Sequence, residues 1–169
     1  MFNTSTLLMQ NLNFLFYNRR KKVNAMNNLL NASMHHVFEN EFGLKLEKCK
    51  NSPRHLAYTA TIPYKSNSKE KIATIWVQKP TLKKLSNILL FEEKPDEDTL
   101  EDLTKELANL IVGHAKMLAH NQNLDYDIKT PKFAGFNKLD PSSETLLYKI
   151  ENRCIAIQTK ERLTEEAHG

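Results

Sequence analysis

Residues 100–118 constrain the fold more than any other stretch. Leu100, Leu103, Leu107, Leu110, Ile111 and Leu118 recur at three- and four-residue steps, the spacing that stacks side chains on one face of a helix. A long amphipathic helix is therefore predicted here, with residues 102–116 at its middle. On an adjacent flank Asp102, Glu106, Asn109, Gly113 and Lys116 recur at the same steps. A carboxylate and a carboxamide thus lie one turn apart, and a glycine follows. Glycine inside a helix costs about 0.5–1 kcal/mol relative to alanine. Its presence predicts that another backbone or a partner comes close at Gly113. Beyond the helix, residues 124–130 alternate like a short strand and Pro131 closes them.

The rest of the chain supplies layers for this helix to pack on. A first helix is predicted from Asn24 to about Phe42, with Met26, Leu30, Met34, Phe38 and Phe42 as its stripe and Gly43 as its stop. Leu56, Tyr58, Ala60 and Ile62 alternate with Thr59 and Thr61, which predicts a strand. Pro63 and residues 66–68 read as a turn, and residues 72–77, with the single tryptophan Trp76, as a second, antiparallel strand. Thr81 after Pro80 is a candidate helix cap, with Leu82, Leu85, Ile88 and Leu89 on one side. The central helix is expected to start within residues 95–99, capped by Asp98 with Glu101 or Thr99 with Asp102. In that setting Asp102 is a helix-start charge and no more. Residues 133–136 predict a strand around Gly135, and residues 146–150 and 154–159 a hairpin about Glu151, Asn152 and Arg153. The expected fold is α+β: a mostly antiparallel sheet, a long central helix, and further helices on the same side.

Composition narrows the function. At 169 residues and 40% hydrophobic content the chain suits one domain with one core. Its net charge of +4 is mild, compatible with an acidic protein partner and insufficient by itself to argue for nucleic acid. Cys49 and Cys154 lie far apart with no metal-ligand spacing, which reads as reduced thiols in a cytoplasmic protein. His35 and His36 are adjacent, point about 100° apart on a helix, and read as surface or core-edge residues. Only four glycines occur, and no Gly-rich phosphate loop, nucleophile–base pair or Gly-x-Ser-x-Gly motif is present. No run approaches the roughly 20 apolar residues of a membrane span.

Residues 1–25 stand apart. Their apolar residues are interrupted by Asn and Gln, and they end in Arg19, Arg20, Lys21 and Lys22. The charges follow the apolar part, the wrong order for a secretory signal. A basic run binds nucleic acid or anionic lipid in some proteins; the plainer reading, taken here, is a disordered or dispensable extension. The domain is then residues 26–160, with a charged tail at 161–169.

Asp102, Glu106 and Asn109 on one helix, with Gly113 beyond them and Pro131 downstream, resemble the signature of the CheC/CheX/FliY chemotaxis phosphatases. The single Glu-x-x-Asn motif makes the chain most similar to CheX. The resemblance implies a CheX-like fold and dephosphorylation of a phosphorylated CheY-like response regulator. It assigns Asn109 to orienting the attacking water and Glu106 to pairing with a basic group of the regulator. Asp102, Gly113 and Pro131 become partner-binding or structural. It implies no cofactor or metal of the chain's own, since Mg²⁺ is carried by the regulator. A homodimer joined through sheet edges is implied too, with no nucleic-acid or membrane partner. Taken without the resemblance, exposed Glu and Asn on a helix flank are ordinarily solvated and inert, and His114 reads as a packed histidine. The alternative of another class is a non-catalytic CheX-like binding or flagellar-switch adaptor module.

Overall fold

The computed structural model describes the backbone of residues 4–162, with the side chains of residues 4, 7 and 15–24 outside that description. The tail at 163–169 likewise lies outside it. Three helices cover one face of a seven-stranded antiparallel sheet, as the sequence predicts. Helix α1 spans Thr4–His35 and runs into a π-helical turn, His36–Glu41. Strand β1 (Glu47–Lys48) is followed by the hairpin β2 (Ala57–Ser66) and β3 (Lys69–Val77). Helices α2 (Lys79–Leu90) and α3 (Glu97–Asn121) come next. Strands β4 (Tyr126–Ile128), β5 (Lys132–Asn137), β6 (Glu144–Ile150) and β7 (Arg153–Glu161) complete the chain. The sheet order is β1-β6-β7-β3-β2-β4, with β5 also on β2.

The strands form where the alternation lies. Tyr58, Ala60, Ile62 and Tyr64 of β2, Ala73, Ile75 and Val77 of β3, and Ile155 and Ile157 of β7 are buried beneath the helices. Leu30, Met34, Val37 and Phe38 come down from the α1 side, and Leu100, Leu107 and Ile111 from α3. Trp76 points to the other face, where Ala57, Ala156, Leu139 and Leu147 pack on it. Its indole Nε1 donates to the Asn137 carbonyl at 2.8 Å, so the one buried polar group of that small cluster is satisfied.

Several expectations need correction. The first helix begins at Thr4, not Asn24, so the described part of the 1–25 extension is helical and continuous with α1. Polar interruptions hid it, because Asn and Gln break the apolar period without breaking the helix. The helix end is near Phe42 as expected, and Gly43 takes φ +69°, but the last turn is π. Helix α2 starts at Lys79 with Gln78 as N-cap, and Thr81 is buried in its first turn instead of capping it. Strand β2 continues through Pro63 to Ser66, and the turn is only Asn67 and Ser68, both at positive φ, the two-residue hairpin geometry that matches strand twist.

Pro63 is tolerated for a specific reason. Strands β5 and β4 lie end to end along one side of β2, pairing with residues 57–61 and 64–66 respectively. The Pro63 carbonyl accepts from Lys129 N on that side at 2.9 Å, so its ring nitrogen also faces the gap between them. The missing N–H is therefore not needed. Pro131 lies in the same interruption, between β4 and β5.

The two cysteines are not free thiols. Strand β1 pairs with β6, and β6 with β7, which brings Cys49 and Cys154 to a Cα–Cα distance of 6.3 Å and joins them in a disulfide. Sequence separation concealed the pairing because it depends on a two-residue strand.

Candidate functional site: the outer flank of helix α3

Helix α3 is anchored at its start and again near its middle. Asp96 is its N-cap, with its carboxylate accepting from Thr99 N at 2.8 Å. The cap is thus Asp96, upstream of both expected pairs. Those backbone and side-chain bonds hold the Asp96 carboxyl below its usual range. In the first turn Glu97 accepts from Lys79 Nζ at 2.9 Å and from the Tyr58 hydroxyl at 2.7 Å. Lys79, then Tyr58, keeps the Glu97 carboxyl low. Burial, then the bond to Glu97, pushes the Tyr58 phenol up to about 12. Further along, Ser33 Oγ of α1 donates to the Ile111 carbonyl at 2.5 Å. His114 stacks on His36 at 4.0 Å with ring planes 2° apart. His114 is packed, as the sequence suggested; burial first, then His36, holds its pKa down. Its Nδ1 is buried and has no hydrogen-bond partner.

The predicted apolar stripe is the buried one. Leu100, Leu103, Leu107 and Ile111 are buried, and Leu110 and Leu118 pack against the core half-covered. The opposite flank is what remains. Asp102, Glu106, Asn109 and Lys116 are exposed and Gly113 is half-exposed. Because α3 is one unbroken helix, residues three and four apart have Cβ atoms about 5–6 Å apart. Glu106, Asn109 and Gly113 therefore form one continuous row.

Within the row the residues differ. The Asp102 carboxylate pairs with Lys105 at 2.8 Å, which raises the Lys105 pKa. Asp102 lies in the second turn, past the helix-start positions 97–99, so its charge is engaged locally and not in capping. The side-chain hydrogen bonds and ion pairs of α3 among the described residues run through Asp96, Glu97, Asp102, Thr104 and Lys105. Glu106 and Asn109 take no part in them. A Cβ built at Gly113 meets nothing within 4 Å. The expectation that another backbone of this chain approaches there is overturned: the space above Gly113 is open. Pro131 lies off the helix, half-buried in the link between β4 and β5.

Chemically, the row offers an anion and an amide, each free to engage something outside the chain. An amide oxygen accepts and its NH₂ donates. No group of three or more metal-ligating side chains occurs among the described residues. Two open clefts lie elsewhere. One, near Tyr64, Lys71, Glu144 and Lys160, has a volume of about 280 Å³; the other, near Thr61, Asn137 and Gln158, about 350 Å³. No α3 residue lines either of these two. The disulfide, the His36–His114 stack and the Tyr58–Glu97–Lys79 link were not anticipated; each joins residues distant in sequence and carries no local signal.

No protein-family model matches the sequence, and no curated protein does. Solved structures do. CheX from Vibrio vulnificus matches with a TM-score of 0.68 and 16% identity, over 81% of this chain and 96% of that one. A CheC-like superfamily protein from Shewanella sp. PV-4 matches at 0.63 and 19% identity, over 80% and 97%. A chain of the CheX–CheY–BeF3–Mg²⁺ complex from Borrelia burgdorferi matches at 0.55 and 16% identity, over 83% and 97%. Similarity this extensive at such low identity is similarity of architecture. The chain therefore has the fold of the CheX and CheC-like chemotaxis proteins, over nearly their full length.

Proposed function

We propose that this protein dephosphorylates a phosphorylated CheY-like response regulator, docking it on the outer flank of α3. The observation that carries the reading is the pair Glu106 and Asn109: exposed, one turn apart, and, among the described residues, outside the side-chain bonds of a helix that is tied down at its start and near Ile111. One solved chain of this fold belongs to a CheX–CheY complex, which supports a CheY-like partner.

An aspartyl phosphate is an acyl phosphate, already prone to hydrolysis. Water attacks phosphorus, the bond to the aspartyl oxygen breaks, and a carboxylate and inorganic phosphate leave. Such a step needs positioning more than covalent chemistry. Asn109 accepts a hydrogen bond from the water through its amide oxygen and sets it in line. Glu106 pairs with a basic group of the regulator, most simply a lysine beside the phosphoryl group, and fixes the docked geometry. The Mg²⁺ of the reaction belongs to the regulator. Gly113 leaves clearance for the docked surface.

The test is phosphate release from a phosphorylated receiver domain, with and without the protein. Release that is faster than the receiver's own decay and lost in Asn109→Ala supports the assignment. Binding without accelerated release makes the protein an adaptor of the same fold.

A further inference from the structure

We propose that the N-terminal part of α1 is an amphipathic anchor that lies on an anionic lipid surface. The first observation is where the charge sits. Residues 1–38 contain no Asp or Glu, and their only Lys and Arg residues are Arg19, Arg20, Lys21 and Lys22. Of the chain's 24 Lys and Arg, 20 therefore lie beyond residue 38, against all 20 Asp and Glu. The whole formal charge of +4 belongs to this segment, and the rest of the chain is balanced.

The second observation is what the segment exposes. Helix α1 starts at Thr4, and its first buried core residue among those described is Met26. The helix up to that point rises about 33 Å at 1.5 Å per residue. Leu8, Met9, Leu12 and Phe14 are exposed on it, at 63%, 67%, 46% and 64%. Leu8 and Leu12 are one turn apart, and Leu15 and Phe16 continue that spacing in the sequence. The polar residues between them, Gln10, Asn11 and Asn13, are uncharged, and the four cations follow after Tyr17 and Asn18.

Exposed Leu8, Met9 and Leu12 on one side of the helix, four cations further along it in sequence and no acid match the boundary of an anionic bilayer. The apolar side chains enter the acyl edge and the cations face lipid phosphates. Nucleic acid would use the charge but leave leucines and phenylalanine in water. A protein groove would take the stripe but gives no reason for 38 residues without an acid. No helix among the described residues is long and apolar enough to cross a membrane, so the segment lies on the surface. The proposal departs from the expectation of no membrane partner, and it is independent of the α3 site.

The experiment is flotation of the full chain with phosphatidylcholine vesicles, with and without phosphatidylglycerol. The full chain is expected to float with the anionic vesicles about tenfold more than with the neutral ones, and to be released by high salt. Leu8→Glu with Leu12→Glu, and separately Arg19→Glu with Arg20→Glu, should each abolish flotation while leaving the melting temperature and phosphate release from a soluble receiver unchanged. No flotation of the wild type overturns the proposal. So does flotation that survives Leu8→Glu with Leu12→Glu. Binding to RNA in place of vesicles, lost only in the Arg variants, also overturns it and makes the segment a nucleic-acid arm.

Discussion

Gly113→Ala should make the protein more stable and less active at once. Gly113 sits in the interior of α3, where glycine is about 0.5–1 kcal/mol less favourable than alanine. The added methyl meets nothing within 4 Å, so no packing cost offsets that gain within the chain. For a domain of this size 1 kcal/mol moves the melting temperature by about 2–4 °C, so a rise of about 1–4 °C is expected. The same methyl projects from the row that holds Glu106 and Asn109. If a partner closes on that row, overpacking of about 1–3 kcal/mol appears in the complex, or roughly a 5- to 150-fold loss in kcat/KM. Gly113→Leu should deepen the kinetic loss. The assays are thermal melts and phosphate release at subsaturating phosphorylated receiver. A lower melting temperature for Gly113→Ala would show that α3 is not free above this turn. Full activity in Gly113→Leu would show that the partner docks elsewhere.

Other consequences are more local. His114 has its pKa held down, so its neutral form is favoured in the fold; its contribution to stability is complete above the unfolded value near 6.5 and is lost as pH falls through the folded value. His36 and Glu41 are the titratable groups beside it, and His114→Phe should flatten the acid-side slope in melts from pH 7 to 5. Reducing the bond between Cys49 and Cys154, which closes a sequence separation of 105, should cost about 2–4 kcal/mol. It should lower the melting temperature under reductant, and thiol titration of the native protein should find both cysteines blocked; two reactive thiols would contradict the pairing. Sheet-edge dimerisation, the remaining part of the CheX-like reading, predicts a sedimenting mass about twice 19.6 kDa at micromolar concentration, and a clean monomer would remove it.

The sequence disclosed what is periodic and local. Helix α3 was readable because its apolar residues keep a helical period for 19 positions, and the same period fixed Glu106 and Asn109 on the outer flank. The β2–β3 and β6–β7 hairpins were readable from alternation. What was hidden depends on distant neighbours. Pro63 looked like a turn because a proline normally ends a strand, and only the gap between β5 and β4 makes it acceptable. The N-cap of α3 was placed late because Asp96, Asp98 and Thr99 all qualify by type, and the bond from Thr99 N to Asp96 decides. The disulfide needed β1 to find β6. That Glu106 and Asn109 are left without internal partners was equally hidden, because it depends on what does not pack against them.

The central claim is that Asn109 orients water on a partner's phosphoryl group, and Asn109→Ala tests it most directly. The side chain is exposed, so truncation should change stability by no more than about 0.5 kcal/mol. If it acts only in the transition state, phosphate release should fall by orders of magnitude while affinity for phosphorylated receiver is nearly kept. Glu106→Ala is the internal comparison: loss of an interface ion pair, about 2–5 kcal/mol, should weaken binding and turnover together. The measurement is single-turnover phosphate release with a binding isotherm for each variant, on protein shown by melting to be folded. A folded Asn109→Ala that releases phosphate at the wild-type rate would contradict the account at its central residue.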